Sequence, residues 1–183
     1  IDACLVGSEM CIRDRLKVLK EINSDLKSDK RMFRIMQGDV GSGKTIVSML
    51  SLANVIESNY QCALMGPTEI LAHQHFELAL KIFNNYSIKI EFLSGKTETK
   101  KRKAILKKLK EGKIDLLIGT HALFQKKIEF KKLGYVVIDE QHKFGVKQRS
   151  DFAKKGGVDC DVLLMSATPI PRTMMMSHYG DMD

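Results

Sequence analysis

No apolar run among the 183 residues approaches the roughly 18 needed to cross a bilayer, which argues against a membrane-spanning helix. The four cysteines, Cys4, Cys11, Cys62 and Cys160, never fall at C-x-x-C spacing, so neither a zinc site nor a disulfide framework is indicated. The opening residues have neither the basic start nor the long apolar stretch of a signal peptide, and a reducing cytoplasm is the expected location. Internal repeats and low-complexity linkers are absent as well. His73, His75, His121 and His178 have no partners at metal-ligand spacing, and helical packing or surface placement is expected for each. What is present is an ordinary globular balance, 44% hydrophobic and 28% charged, in a length that suits one domain with its own core. The net charge of +8 favours a polyanionic partner without proving one, because Lys-rich composition alone gives basic domains.

The most informative stretch is Gly38-Asp39-Val40-Gly41-Ser42-Gly43-Lys44-Thr45, which fits the phosphate-loop pattern G-x-x-x-x-G-K-[ST] without a gap. A short apolar segment, residues 32–36, precedes it as a strand, and residues 46–56 follow with the apolar spacing of a helix packed on a sheet. Gly-Ser-Gly is also an ordinary turn, but eight matching positions between a strand and a helix favour the phosphate loop. Its glycines let the backbone curl so that N–H groups converge on one phosphate chain, and the helix dipole adds to their pull. Lys44 would reach the β- and γ-phosphates, and the Thr45 hydroxyl would be a ligand of Mg²⁺.

Residues 1–14 read differently from the rest, without helical or strand period, and resemble a translated adaptor or cloning tail; the domain is taken as residues 15–183. From Arg15 onward Leu16, Leu19, Ile22 and Leu26 mark an amphipathic helix. Strands are then expected at residues 32–36, 61–65, 88–93, 114–118, 135–138 and 162–165. Helices are expected at 46–56, 69–83, 97–111 and 146–154. Thr68 is a good N-cap for the helix 69–83, whose buried stripe would be Ile70, Leu71, Leu78 and Ile82. In the helix 97–111, Ala104, Ile105, Leu106 and Leu109 supply the only apolar face. Its many lysines read at least as well as a solvated face as they do as a DNA-binding patch. Alternating strands and helices predict an α/β fold, an open, mainly parallel sheet with helices on both faces.

In such a sheet the C-terminal strand ends form one crevice, and the distinctive residues follow those ends. Asp139 ends an apolar strand and is placed to hold Mg²⁺, directly or through its water shell, opposite Thr45. Glu140 beside it is the candidate to orient and deprotonate an attacking water. An isolated Asp-Glu pair is more often a solvated turn, but behind a β-branched strand in a chain with a phosphate loop the catalytic reading is favoured. His142 is either a sensor of the γ-phosphate, passing its state toward Ser166 and Thr168, or a histidine satisfied by local hydrogen bonds.

Asp139-Glu140-Gln141-His142, the phosphate loop and Ser166-Ala167-Thr168-Pro169-Ile170-Pro171-Arg172-Thr173 together resemble a superfamily 2 helicase motor. Pro67-Thr68-Glu69-Ile70-Leu71-Ala72-His73-Gln74-His75, Gly119-Thr120-His121-Ala122-Leu123 and Phe144-Gly145-Val146 narrow the likeness to the RecG family of ATP-dependent helicases that remodel branched DNA and stalled forks. The resemblance implies a RecA-like P-loop NTPase lobe using ATP and Mg²⁺, with Pro67, Thr68, Glu69, Gly119, Thr120 and His121 facing a DNA backbone. Helix N-termini with Thr hydroxyls are good phosphate contacts that read no base sequence, and Thr68 can serve as cap and contact at once. Gln74 and His75 lie further along and could be packing only. Ser166 and Thr168 resemble the motif that couples nucleotide state to DNA grip.

The family's adenine-contacting Gln falls at Arg15 here, so adenine selectivity is not readable, and Lys143 stands where an Arg is usual. The resemblance also implies a second motor lobe in cis and an N-terminal wedge domain, neither of which is found in these 183 residues. The second lobe supplies an arginine finger, worth about 10³–10⁵ in rate in phosphoryl transfer, so the 183 residues alone are expected to hydrolyse ATP slowly and not to unwind DNA. Two rival readings are the motor lobe of a transcription-repair coupling factor-like translocase, disfavoured by Gln141-His142, and a catalytically silent nucleic-acid-binding module. Intact Lys44, Thr45, Asp139 and Glu140 speak against silence.

Overall fold

A computed structural model describes residues 9–125, 127–139 and 160–167. Six strands form one sheet in the order β1-β6-β5-β2-β4-β3. They are β1 (Phe33–Gln37), β2 (Gln61–Met65), β3 (Ile90–Leu93), β4 (Leu116–Gly119), β5 (Leu133–Ile138) and β6 (Asp161–Ser166). All five strand pairings are parallel, so every C-terminal strand end lies along the same edge of the sheet.

The strands are buried on both faces, and their side chains sort into two cores by the period of two. Cys62, Leu64, Leu116, Ile118, Tyr135, Val137, Leu163 and Met165 face α1 (Glu9–Leu26), α2 (Lys44–Glu57) and α3 (Glu69–Ile82), which contribute Ile22, Met49, Leu52 and Ala79. The alternate residues, Ala63, Met65, Leu117, Val136, Ile138, Val162 and Leu164, form the second core, to which α4 (Thr99–Lys110) contributes Ile105 and Leu109. Each fully buried aliphatic side chain contributes on the order of 2 kcal/mol, so neither face can be left uncovered. Helices thus cover both faces, as expected for this α/β pattern. Among the described residues no helix is long and apolar enough to cross a membrane.

The boundaries expected at residues 61–65 are met without change, and those of the helix after Thr68 differ by one residue at the C-terminus. Other expectations are corrected. Helix α1 begins at Glu9, not Arg15, so residues 9–14 are helical despite their lack of amphipathic period. Elongating an existing helix costs far less than nucleating one, and it needs no apolar stripe. Ile70 is 73% exposed rather than buried. The buried positions of α3 are Ala72, His75 and Ala79, and Ile70 lies about 200° around the helix from Ala72. Ala104 is exposed, and α4 buries only Ile105 and Leu109. Its lysines make ion pairs from Lys108 to Glu91 and from Lys110 to Glu129, which favours the solvated-face reading. A 3-10 turn, His121–Phe124, was not anticipated, and the helix expected at 146–154 lies outside the described residues.

One buried side chain at the start of β2 ties the α4–β4 connection to the segment before β5, at the opposite edge of the sheet. The Gln61 amide nitrogen donates to the carbonyls of Leu109 at 3.0 Å and Ile114 at 2.7 Å. Its oxygen accepts from the backbone N–H groups of Lys131 at 2.7 Å and Lys132 at 3.0 Å. Gln61→Leu keeps much of the volume and strands these backbone groups, at about 1–3 kcal/mol for each that water does not reach. We expect urea unfolding of this variant to show a loss of at least about 2 kcal/mol with an unchanged denaturant slope. A loss below about 0.5 kcal/mol would mean that the network contributes little.

Candidate functional site

The loop between β1 and α2 has the conformation its glycines require. Gly41 and Gly43 have φ of 82° and 90°, in the left-handed region, where a Cβ is strained. Gly43 is the N-cap of α2, and no side chain caps that end. The contrast is α3, whose Thr68 side chain accepts from the Leu71 N–H at 3.3 Å. The Lys44 ammonium donates to the carbonyls of Gly38 at 2.5 Å and Asp39 at 2.7 Å, folding its stem over the loop. Ser42 Oγ is buried and, among the described residues, has no hydrogen-bond partner. An uncapped helix end, a curled glycine backbone and an unpartnered hydroxyl suit a polyphosphate with its magnesium ion. Val40, at the tip, is 89% exposed, and Arg15 Nε donates to the Ser42 carbonyl at 3.1 Å.

The neighbouring strand ends bring the other expected residues alongside. Gly38 N–H donates to the Ser166 carbonyl at 3.2 Å, which ties the start of the loop to the end of β6. Asp139 follows β5, the next strand, and its N–H donates to the Met65 carbonyl of β2 at 2.8 Å. Two strand spacings separate the loop from Asp139, about 10 Å, a span suited to a metal-bound triphosphate. On β2 and β4, Gly66 N–H donates to the Gly119 carbonyl at 2.9 Å, so residues 66–69 and 119–121 lie side by side. Gly119 is required by close approach, since a Cβ there would overlap the Leu93 carbonyl oxygen. Thr120 is buried and accepts through its carbonyl from Leu123 N–H at 2.9 Å, whereas His121 is exposed. Thr68 is exposed and Pro67 half-buried.

Glu69 faces away from the role of a simple backbone contact. Its carboxylate pairs with Lys96 at 2.9 Å and accepts from Ser94 Oγ at 2.9 Å, fastening the first turn of α3 to the β3–α4 loop. The Lys96 ammonium, then the Ser94 hydroxyl, hold this carboxyl below the usual carboxylate range. Glu140, His142 and Thr168 lie outside the described residues.

The residue that sequence reasoning passed over is His75. Expected as packing, it is buried on α3, and its Nε2 donates to Asp139 Oδ2 at 2.7 Å. The two residues are 64 positions apart, so no local spacing signals the contact. A usable signal was the placement of a polar ring on the inner face of an apolar helix, because buried polar groups have partners. His73, two residues earlier, stacks on Phe92 with ring centroids 4.0 Å apart and is a packing residue, as expected. Cys62 and Cys160 are buried free thiols; burial raises the pKa of both, that of Cys160 to about 12. Among the described residues no group of three or more His, Cys, Asp and Glu could form a metal cluster of its own.

Comparison with known proteins gives concordant results. The description of the DEAD/DEAH box helicase family matches residues 16–176. The ATP-dependent DNA helicase RecG of Aquifex aeolicus is 51% identical over 172 residues, 93% of this chain and 22% of that protein. That of Bacillus subtilis is 50% identical over 167 residues, 91% of this chain and 24% of that protein. The solved structure of RecG bound to a three-way DNA junction superposes with a TM-score of 0.78 at 40% identity, covering 94% of this chain and 24% of that one. The chain therefore spans about a quarter of the length of the relatives it matches.

The Glu69 ion pair gives a sign that can be tested. A carboxyl depressed in the folded state stabilises it above the unfolded-state pKa and loses that contribution as pH falls through the folded value. The Glu69 side-chain carbonyl resonance is expected to titrate below 4.5, the ordinary value, and to move back toward it in Lys96→Ala. An unshifted midpoint in the parent chain would refute the pairing in solution.

Proposed function

The chain belongs to the DEAD/DEAH box helicase family, and we propose that it is the nucleotide-binding motor lobe of a RecG-like DNA helicase. In the whole protein this lobe would couple ATP hydrolysis to remodelling of branched DNA and stalled forks in recombination and repair, in the cytoplasm. The observation that carries the reading is the alignment of the phosphate loop, Ser166, Asp139 and the residue 66–69 and 119–121 segments along one edge of a parallel sheet. Identity of about one half to RecG over nine-tenths of the chain supports it.

In this reading the glycine-rich loop and the N-terminus of α2 bind the phosphates through backbone N–H groups. Lys44 exchanges its bonds to Gly38 and Asp39 for β- and γ-phosphate oxygens, a move its long stem permits. Thr45 and Asp139 would hold Mg²⁺, which supplies neutralisation of charge on the phosphate oxygens. Glu140 accepts a proton from water as that water forms a bond to the γ-phosphorus; the bond to the β–γ bridging oxygen breaks, leaving ADP and phosphate. His142 senses the γ-phosphate. Ser166, bonded through its backbone to Gly38, and Thr168 pass the loop's state to the segments that face DNA. Those segments, with Pro67, Thr68, Gly119, Thr120 and His121, contact phosphates of the DNA backbone, Thr68 and Thr120 through polar groups at turns and helix starts, while Glu69 fastens the first turn of α3 through Lys96 and Ser94. A second motor lobe in cis would complete the nucleotide site.

Titration of the 183-residue chain with a fluorescent ADP analogue and Mg²⁺ tests the first half. Saturable binding is expected, weakened at least about tenfold in Lys44→Ala, with slow ATP turnover that branched DNA does not greatly accelerate. Equal affinity in the parent and Lys44→Ala chains would overturn the nucleotide site. Rapid DNA-stimulated turnover by these residues alone would overturn the need for a second lobe.

A further inference from the structure

We propose that His75 is a positioning residue for the Asp139 carboxylate, and that through it α3 links the DNA-facing strand ends to the metal–nucleotide side of the crevice. The inference rests on the reading of Asp139 as the magnesium carboxylate.

The geometry is that of a directed contact. The His75 and Asp139 side chains are 8% and 14% exposed, and Nε2 lies 2.7 Å from Oδ2. A carboxylate at a strand end otherwise has a broad, two-fold choice of rotation about its last torsion. A donor held on Oδ2 restricts that rotation and so helps to fix the direction of the carboxylate. Partners of metal ligands act in this way, and losing one commonly costs about 10–100-fold in metal affinity.

His75 is held from both directions. Its helix seats on the sheet through Ala72 and Ala79, one turn to either side. The first turn of that helix is pinned to the β3–α4 loop by Glu69. The cap Thr68 stands seven residues before His75, about 10 Å along a rigid helix. Thr68 belongs to the group assigned to the DNA backbone, and Asp139 to the group assigned to the metal. His75, on α3, touches Asp139 by hydrogen bond. A displacement of α3 when its N-terminus meets a phosphate therefore reaches the carboxylate through one bond.

A histidine that only fills space would be replaceable by any side chain of similar bulk. The test separates the two roles by the nitrogen's position. In the 183-residue chain, affinity for the fluorescent ADP analogue is measured in EDTA and against rising Mg²⁺, for the parent, His75→Ala, His75→Asn and His75→Gln. Glutamine places an N–H near the position of Nε2, whereas asparagine is too short to do so. The expected result is a roughly tenfold rise in the Mg²⁺ midpoint for alanine and asparagine, near-parental behaviour for glutamine, and EDTA affinity unchanged in all. The asparagine and glutamine pair decides the matter even where the alanine variant does not fold. An unmoved Mg²⁺ midpoint in His75→Asn, or an equal loss with and without Mg²⁺, overturns the positioning role. If Lys44→Ala in the same assay leaves affinity unaltered, it is the nucleotide site that fails instead.

Discussion

The parallel ladder β1-β6-β5-β2-β4-β3 is the constraint from which the rest follows. Because each neighbour runs the same way, the chain must return across a face after every strand, and every return begins on the same edge. The loop after β1, Ser166, Asp139 and the segments beginning at Gly66 and Gly119 are consequently lined up in the order of the strands, not in the order of the sequence. Backbone bonds between neighbouring ends, Gly38 to Ser166, Asp139 to Met65 and Gly66 to Gly119, keep that line in register. Had one strand been reversed, its chemistry would have been carried to the edge where Gln61 gathers the opposite loops.

Asp139 occupies the middle of the line. On one side, across β6, is the phosphate loop; on the other are β2 and β4 with Thr68, Thr120 and His121. The edge thus has a half suited to a nucleotide and a half suited to a backbone of phosphates, with a carboxylate at the seam. A motor needs communication between such halves. Among the described residues, links along and above the line include the backbone bonds from Gly38 to Ser166 and from Asp139 to Met65 and the His75–Asp139 bond.

Much of this was legible before any coordinates. Residues 38–45 have a pattern whose spacing is dictated by one ligand's shape, and a β-branched strand ending in Asp139 has few other uses in such a chain. Thr68 was readable as a cap because capping is decided within four residues. Local rules failed where the deciding partner was distant. Ile70 looks like core in a list of apolar positions, yet the face that α3 buries is chosen by the sheet beneath it, which takes Ala72, His75 and Ala79. Gly119 reads as an ordinary turn glycine until the Leu93 carbonyl is seen against it. The role of Glu69 depends on Lys96 and Ser94, which arrive from another loop. His75 was set aside for the same reason, since its partner lies 64 residues away.

The central claim, that the lysine loop and Asp139 serve one metal-bound nucleotide, is tested most directly with a paramagnetic ion in place of magnesium. Amide spectra of the chain with ADP and Mn²⁺ should lose Gly43, Lys44, Thr45 and Asp139 together, because relaxation falls steeply with distance from the ion, while Glu91 on the far edge strand β3 stays sharp. Broadening confined to the loop, with Asp139 as sharp as Glu91, would contradict the account.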